Sequence, residues 1–424
     1  MDGERWSMNR DETFVSSYGL IVIGAGAAGM MATITAARNG HKVLLLEKLP
    51  KIAAKLKATG GGRCNLSNTL SNETFMEHFG RDGRFMSTAL EALDHYKLQD
   101  FFNSIGVQTH APDGFRIFPV GHDAKTIITA MQNEMIKLGV DIKCNQKVDQ
   151  IHYDGERVTA VSTTTDSFQA ENVIIATGGM GYPKLGAEGD GYRLASSLGH
   201  SVTALYPAMM PLKTKESWVA NCRADTIAKV KMVVDIKKYK KLQAQGDLIF
   251  TKSGIRGPVV LDFSREITPL IDKFGEVPIL VNLTKGMNEE EIREHFKNKI
   301  SQNHSLTTLE LLSTLLPEAL SQELCKLSGI DLDIILSKQS GVNRDKLIKT
   351  LAWTPLTIIG HDGFDMAMIT RGGVSLKEIN PHTMQSKRVQ GLYFCGEVVN
   401  LDGPCGGYNL QWAFSSGFLA GEKI

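Results

Sequence analysis

From Leu20 onward the chain alternates short apolar runs with amphipathic stretches, and glycines punctuate the changes. Leu20–Ile23 is an unbroken branched run, the pattern of a strand buried on both faces, and it leads straight into Gly24, Gly26 and Gly29. The spacing predicts a helix from Ala27 to Asn39, stopped by Gly40, and a second buried strand over Lys42–Leu46. Two short amphipathic helices are expected within 71–106. A turn-rich hairpin over Ala111–Gly121 then packs Phe115, Ile117 and Phe118 as core, with Arg116 in its middle. Asp123 caps a helix whose Ile127, Ile128, Met131 and Met135 share one face and which ends at Gly139. Val140–Val148 reads as a third parallel strand, and Asp154-Gly155 as a turn between two alternating runs. Glu171–Ala176 is the strand returning to the sheet, ending in Thr177-Gly178-Gly179, and Asp190 caps a helix that Gly199 stops.

The pattern changes near Ser201. Alternating runs such as Lys229–Ile236 and Leu248–Thr251, with turns at Gly246-Asp247 and Gly254, predict an antiparallel sheet. Residues 288–350 are helical in pattern: Asn288, Thr307 and Pro317 each begin a helix, and Glu310 completes a capping box with Thr307. Gly391–Glu397 is again a buried strand with an acidic end. The tight turn Asp402–Gly407 follows, and then a helix over Tyr408–Lys423 with Leu410, Phe414 and Phe418 on one face and Gly417 and Gly421 permitting close packing. The expected organisation is an α/β fold with a flexible lead, 1–19, and a first domain in two parts, 20–200 and 363–424. A β domain is inserted at 201–287 and 351–362, carrying a small helical subdomain, 288–350.

The glycines supply the chemistry. In strand–turn–helix context Gly24 allows the tight turn, Gly26 lets backbone approach a pyrophosphate, and Gly29 lets the helix lie on the strand, with its first N–H groups facing the phosphates. Glu47, about twenty residues on, ends the second strand where a carboxylate accepts ribose hydroxyls. A membrane span over Leu20–Ala37 is rejected, because three glycines in six residues suit a turn and a packed helix. A basic segment, Lys48, Lys51, Lys55 and Lys57, leads into Thr59-Gly60-Gly61-Gly62-Arg63-Cys64-Asn65, a loop whose N–H groups and Arg63 suit a pyrophosphate or a flavin edge. The N-terminus of the last helix suits the pyrimidine edge of a flavin, where negative charge appears on reduction. A plain NAD dehydrogenase has no need of that segment, so the first fold is expected to bind FAD.

Charge, cysteine and histidine content narrow this picture. Forty-seven basic residues balance forty-six acidic ones, which gives no reason to expect a nucleic acid or another polyanion as partner. Six dispersed cysteines form no CxxC, which argues against a zinc site and against a disulfide-reducing flavoenzyme. The eleven histidines lack metal-ligand spacing, so no metal is expected. Met1–Gly19 has no apolar signal core, and a cytoplasmic protein with no membrane partner is expected.

VIGAGAAGMMA, TGGGRCNLSN, ATGG followed by YPKLGAEGDGY, TRGGVSLKEINPHTM and CGEVVNLDGPCGGYNLQWAFSSG together resemble a family of bacterial FAD flavoproteins that includes aminoacetone oxidase and the dehydro-bile-acid reductases. The resemblance covers nearly the whole chain and implies a Rossmann-like FAD domain of the two-dinucleotide-binding type, built from both chain ends. It departs at Lys55–Ala58, where a glycine-containing turn is expected. It implies that Gly24, Gly26, Ala27, Ala28 and Gly29, with Gly61, Gly62, Arg63, Cys64 and Asn65, lie along the pyrophosphate. Glu47 and Lys48 would serve the adenosine ribose side and Val148 the adenine, by its main chain. Gly396 and Glu397 would serve the ribityl chain, and Gly407, Asn409, Leu410 and Gln411 the ring, with Thr177, Gly178 and Gly179 at the sheet's carboxyl edge. The expected activity is flavin-mediated hydride transfer on a small organic molecule. NAD(P)H as electron donor, an oxidase passing electrons to oxygen, and a flavin-binding redox sensor without turnover all stay open, as does the oligomeric state. No second glycine motif with an acidic partner supports a separate nicotinamide domain. Arg116, His122, Tyr182, Arg256 and His361 are candidate pocket residues whose structural roles are the more economical reading.

Overall fold

The computed structural model describes residues 16–424. These divide into two compact units, one comprising the chain up to Leu205 together with Ile369–Ile424, the other Tyr206–Met368.

The first unit is built on a parallel sheet in the order Asp141–Lys143, Val43–Leu46, Ser16–Ile23, Ser167–Ile175, Leu392–Phe394. Ile23, Leu46, Ile175 and Phe394 lie in one register, so the strands end along a common carboxyl edge. Leu20, Ile21 and Val22 are wholly buried, as are Val173, Ile174 and Ile175. Each such side chain stabilises the sheet by about 1.5–3 kcal/mol relative to exposure, which explains why these strands read as continuous apolar runs. Two helices of this unit pack closely on each other. Gly417 and Gly421 of the last helix, Tyr408–Glu422, lie against Ala28 and Ala32 of the helix Ala27–Arg38. A Cβ at Gly417 would stand 2.3 Å from the Ala28 carbonyl oxygen, and one at Gly421 2.4 Å from that of Ala32. Among the three residues expected to share an apolar face, Phe414 is buried while Leu410 and Phe418 are half-buried.

Four local expectations need correction. The first strand starts at Ser16, not Leu20, because Ser16–Tyr18 already pair with Phe168–Ala170; the rest of the expected lead, 1–15, lies outside the described residues. The third parallel strand stops at Lys143, because Asn145 takes a left-handed φ of 57° and turns the chain. Val148 instead opens the next strand, Val148–Tyr153, in an antiparallel meander with Val158–Thr163. Residues 71–106 hold three α-helices, Asn72–Glu77, Ser87–Ala92 and His95–Ser104, and a 3₁₀ segment, because Gly80 and the Asp94 cap interrupt the pattern. At Lys55–Ala58, finally, Ala53 adopts the left-handed φ of 61° and starts a short helix, Ala54–Ala58, doing what a glycine would.

The second unit is a closed antiparallel barrel, in the order Leu212–Thr214, Gly254–Arg256, Gln243–Phe250, Thr226–Val234, Val277–Asn282, Thr354–His361. Closure removes the exposed edges that an open sheet of this length would leave. The helices that begin after Asn288, Thr307 and Pro317 share a core with the barrel through Phe296, Leu311 and Leu320, and both Asn288 and Thr307 form capping boxes. Among the described residues no helix is long and apolar enough to cross a membrane.

Candidate cofactor site

The glycine turn shows a division of labour. Gly24 has φ +101°, and a Cβ there would come within 2.7 Å of the Ala176 carbonyl oxygen. At Gly29 it would come within 1.9 Å of the Gly24 carbonyl oxygen, so this glycine lets the helix sit on the turn. Gly26 is different: nothing lies within 4 Å of where its Cβ would stand, and its φ of −81° is open to any residue. Its glycine is explained by neither packing nor backbone strain. The first N–H groups of the helix, at Ala27, Ala28 and Gly29, have no intrahelical acceptor and carry the positive end of the helix dipole.

Beside this turn Glu47 is held by two main-chain donors: Ala25 N–H donates to Oε2 at 3.0 Å and Leu49 N–H to Oε1 at 2.9 Å. Both oxygens keep a second lone pair, so the carboxylate is fixed in place and still able to accept. Lys48 is engaged otherwise, donating to Glu188 at 2.6 Å and Asp190 at 2.5 Å. Burial alone would lower its pKa, but these two carboxylates outweigh burial and raise it. Asp190, which Lys147 also contacts, is pushed below the usual range despite its burial. Asp190 is not the cap expected from the sequence: it is the first residue of the helix Asp190–Ser197, Gly189 occupies the cap, and the carboxylate is held by Lys48 and Lys147 instead. The Val148 carbonyl accepts from Arg193 at 3.1 Å. No signal in the sequence marked Arg193, which comes from a different helix.

The second glycine loop joins the chain's two ends. Gly60, Gly61 and Gly62 take φ of +58°, +67° and +88° in succession, a run that only glycine adopts cheaply, and no atom approaches the Cβ directions of Gly61 and Gly62. Arg63 donates from Nε to the Gly60 carbonyl at 3.1 Å and lies over the Phe118 ring, 5.6 Å from its centroid. Cys64 is buried, which pushes its thiol up to about 12 and makes it a packing residue. With its amide oriented to satisfy both ends, Asn65 donates to the Ser67 and Ile117 carbonyls at 2.9 and 3.3 Å and accepts the Gly407 N–H at 3.0 Å. Gly407 itself has φ +89°, with the Ser67 carbonyl 2.3 Å from its Cβ position.

At the sheet's carboxyl edge, Glu397 accepts from Lys55 Nζ and from the Thr370 N–H, each at 2.8 Å. Gly179 fits against this pair, since a Cβ there would meet Thr370 Oγ1 at 2.4 Å and Glu397 Oε1 at 2.6 Å. Gly178, φ +73°, has an open Cβ direction, and among the described residues the buried Thr177 hydroxyl has no partner. Gly396 donates its N–H to Ser416 at 2.9 Å and accepts from Trp412 Nε1 at 3.2 Å, and its Cβ position lies 2.8 Å from that of Ala28. Lys55 and Thr370 are additions to the expected set. Both stand in motifs visible in the sequence, but only the fold brings them to Glu397.

Two expected ring contacts have other work for their side chains. Asn409 closes the preceding turn, accepting from Gly403 N–H at 2.8 Å and donating to the Gly403 and Pro404 carbonyls. Gln411 points into the core, donating to the Leu93 carbonyl at 2.9 Å and to Ser415 at 2.8 Å, while its Oε1 is buried without a partner among the described residues. Leu410 is half-buried. Their main chain forms the N-terminal turn of the last helix. Of the other candidates, Arg116 is exposed and pairs with Asp113 at 2.7 Å, His122 meets His110 with Nε2 atoms 2.9 Å apart, and Tyr182 has φ 57° at a turn. Arg256 and His361 belong to the second unit, where His361 Nδ1 accepts from Gly363 N–H and burial lowers its pKa.

The first unit thus presents open glycine faces at Gly26, Gly61, Gly62 and Gly178, two helix N-termini, and a fixed carboxylate at the end of the second strand. Space that a Cβ would fill, lined by main-chain donors, suits a diphosphate.

Comparisons with known proteins bear on the family and the fold. A profile described as "HI0933-like protein Rossmann domain" matches residues 18–423. The chain is 31% identical over 403 residues to the 3-dehydro-bile acid delta(4,6)-reductase of Clostridium scindens, covering 95% of this chain and 97% of that one. It is 29% identical over 410 residues to the ribosomal RNA dihydrouridine synthase of Haemophilus influenzae, covering 95% and 98%. Among solved structures, a 3-ketosteroid-delta4-(5alpha)-dehydrogenase from Rhodococcus jostii matches with a TM-score of 0.52 at 16% identity, over 99% of this chain and 98% of that one, a likeness of fold.

Proposed function

Because the chain belongs to the HI0933-like family of FAD-dependent oxidoreductases, we propose that it reduces a carbon–carbon double bond conjugated to a carbonyl, with NAD(P)H as the electron donor. One observation carries this reading. Two full-length relatives are named as a 3-dehydro-bile acid delta(4,6)-reductase and a ribosomal RNA dihydrouridine synthase, and in the chemistry of a 3-oxo-diene and of uracil alike the carbon–carbon double bond to be saturated is conjugated to a carbonyl. The carbon skeletons differ; the bond is the same.

In this proposal the Gly26 main chain and the helix N–H groups at Ala27 and Ala28 hold the pyrophosphate, assisted by the Gly61–Arg63 loop. Glu47 accepts ribose hydroxyls with its remaining lone pairs, and the Val148 main chain meets the adenine. The Gly396–Glu397 segment lies along the ribityl chain, and Lys55 and Thr370 keep Glu397 in one position. The N-terminal turn of the last helix faces the ring's pyrimidine edge, where its partial positive charge favours the reduced, negatively charged form. Bound FAD supplies the redox chemistry. Overall, hydride and one proton add across the double bond, at the carbons β and α to the carbonyl respectively, and NAD(P)H becomes NAD(P)⁺.

The test is anaerobic. NADH or NADPH should bleach the yellow holoprotein, and a conjugated ketone such as 2-cyclohexenone or a 4-en-3-one steroid should restore the colour. Reduced protein that is reoxidised by oxygen but by no conjugated carbonyl overturns the proposal.

A further inference from the structure

The first turn of the helix Asp190–Ser197 is tied to two other parts of the first unit, the segment after the strand Val43–Leu46 and the start of the strand Val148–Tyr153. Asp190 accepts from Lys48 at 2.5 Å and pairs with Lys147 at 3.3 Å. Arg193 lies three residues on, a spacing that keeps it on the same helix face. It donates from Nη2 to the Val148 carbonyl at 3.1 Å and from Nη1 to the Asp149 carbonyl at 2.7 Å. The two segments are also joined directly, with Gln146 N–H donating to the Glu47 carbonyl at 2.9 Å and Asn145 N–H to the Leu49 carbonyl at 3.1 Å.

One guanidinium reaches two consecutive carbonyls because the strand is irregular there. Neighbouring carbonyls of a regular strand point opposite ways in the plane of the sheet. The pairing of Val148–Tyr153 with Val158–Thr163, however, shifts register between Val148 and Gln150, a local break in the ladder at Asp149. The planar fork of an arginine fits such a pair of acceptors, and the single ammonium of a lysine does not. This strand is the last in its sheet, where a charged side chain can serve simply to cover an open edge. Cover alone would be as useful anywhere along Gln150–Tyr153; the fork closes instead on the Val148 peptide.

We propose that Arg193 is a positioning residue that sets the preference of this chain for FAD over FMN, by fixing the Val148 peptide at the adenine end of the dinucleotide. Of the two lone pairs on the Val148 carbonyl oxygen, Arg193 takes one and leaves the other for the exocyclic amino group of adenine. Asp190, through Lys48 and Lys147, holds the helix that carries Arg193. FMN has no adenine, so a residue acting at this point affects one ligand and not the other. The inference rests on the cofactor placement proposed above, in which the Val148 main chain meets the adenine.

The test is binding to apoprotein. FAD and FMN are titrated by quenching of flavin fluorescence, and ADP, which carries the adenine alone, by calorimetry. R193M removes both donors and should weaken FAD and ADP roughly tenfold, the scale of a hydrogen bond to a charged group, while FMN stays within about twofold. R193K keeps the charge but not the fork and should still weaken FAD roughly threefold or more. A role confined to covering the edge or holding the helix would weaken all three ligands alike, or lower the apoprotein Tm and weaken none; either result overturns the proposal. If calorimetry shows that R193M does not fold, R193K decides, and wild-type affinity for FAD in that variant overturns the proposal. The two proposals fail separately. A wild type that binds FAD no tighter than FMN removes the adenine role of Val148 and this inference with it, and leaves the reductase reading to its own bleaching test. A flavin that no conjugated carbonyl reoxidises sinks the reductase reading and leaves the selectivity of Arg193 standing.

Discussion

Gly26→Ala and Gly29→Ala separate binding from packing in one turn. At Gly29 an added methyl would stand 1.9 Å from the Gly24 carbonyl oxygen and 3.2 Å from the Ala176 Cβ, against backbone on one side and a strand on the other. Carbon and oxygen touch at roughly 3.3 Å, so the helix must retreat by about 1 Å or more. Overpacking of this kind costs about 1–3 kcal/mol, a fall of about 2–6 °C in the Tm of the apoprotein. At Gly26 the same methyl meets nothing within 4 Å and φ is −81°, so the apoprotein should be unmoved. The small loss in capping preference and the small gain from stiffening the unfolded chain offset each other to within about 0.5 kcal/mol. The methyl does, however, occupy the space assigned to the pyrophosphate. Displacing a charged acceptor from main-chain donors costs about 1.5–3 kcal/mol, or roughly 10–150-fold in the Kd for FAD. The assay is paired: apoprotein melting by calorimetry, and FAD titration followed by quenching of flavin fluorescence. Wild-type FAD affinity in Gly26→Ala, or an apoprotein destabilised as much as Gly29→Ala, refutes the reasoning.

Other expectations follow from the same geometry. A double-mutant cycle on Lys55→Met and Glu397→Gln should show a coupling of about 0.5–1.5 kcal/mol, read by urea melts of apoprotein, because the pair is about three-quarters shielded from solvent. Glu378 bonds Arg388 and both the N–H and the hydroxyl of Ser201, contacts that outweigh its burial and hold its carboxyl at about 2. A depressed pKa contributes stability that is complete above the ordinary carboxylate value and is lost as pH falls from there towards 2. Glu378→Gln should therefore be less stable than wild type by about 1–3 kcal/mol at pH 7, with the gap closing in acid melts. Burial pushes the Cys64 thiol up to about 12, so brief iodoacetamide treatment of the folded protein at about pH 8 should leave Cys64 unmodified by peptide mass spectrometry, and labelling before unfolding would contradict its placement.

What was legible in the chain was mostly local. The strand, glycine turn and helix from Leu20 to Arg38 could be read because each residue's role depends on neighbours within about one helical turn. The third strand was overextended because a left-handed Asn145 looks no different, in sequence, from an asparagine in a strand. Barrel closure depends on Thr354–His361 pairing with both Leu212–Thr214 and Val277–Asn282, a long-range choice that alternation alone does not make. In the site, the open face of Gly26 was anticipated from spacing, while Arg193, Thr370 and the ion pair from Lys55 to Glu397 were not, because they join segments far apart in the chain. Asn409 and Gln411 were placed at the right helix terminus, but their side chains close a turn and satisfy the Leu93 carbonyl.

The central claim is that both ends of the chain hold one FAD. Hydrogen exchange of apoprotein and FAD-loaded protein, compared by mass spectrometry, tests it most directly. The account predicts slowed exchange in three separated stretches, 24–29, 60–65 and 396–411, with the barrel strands at 226–250 unchanged. Protection confined to the amino-terminal stretch, or appearing in the barrel instead, would contradict it.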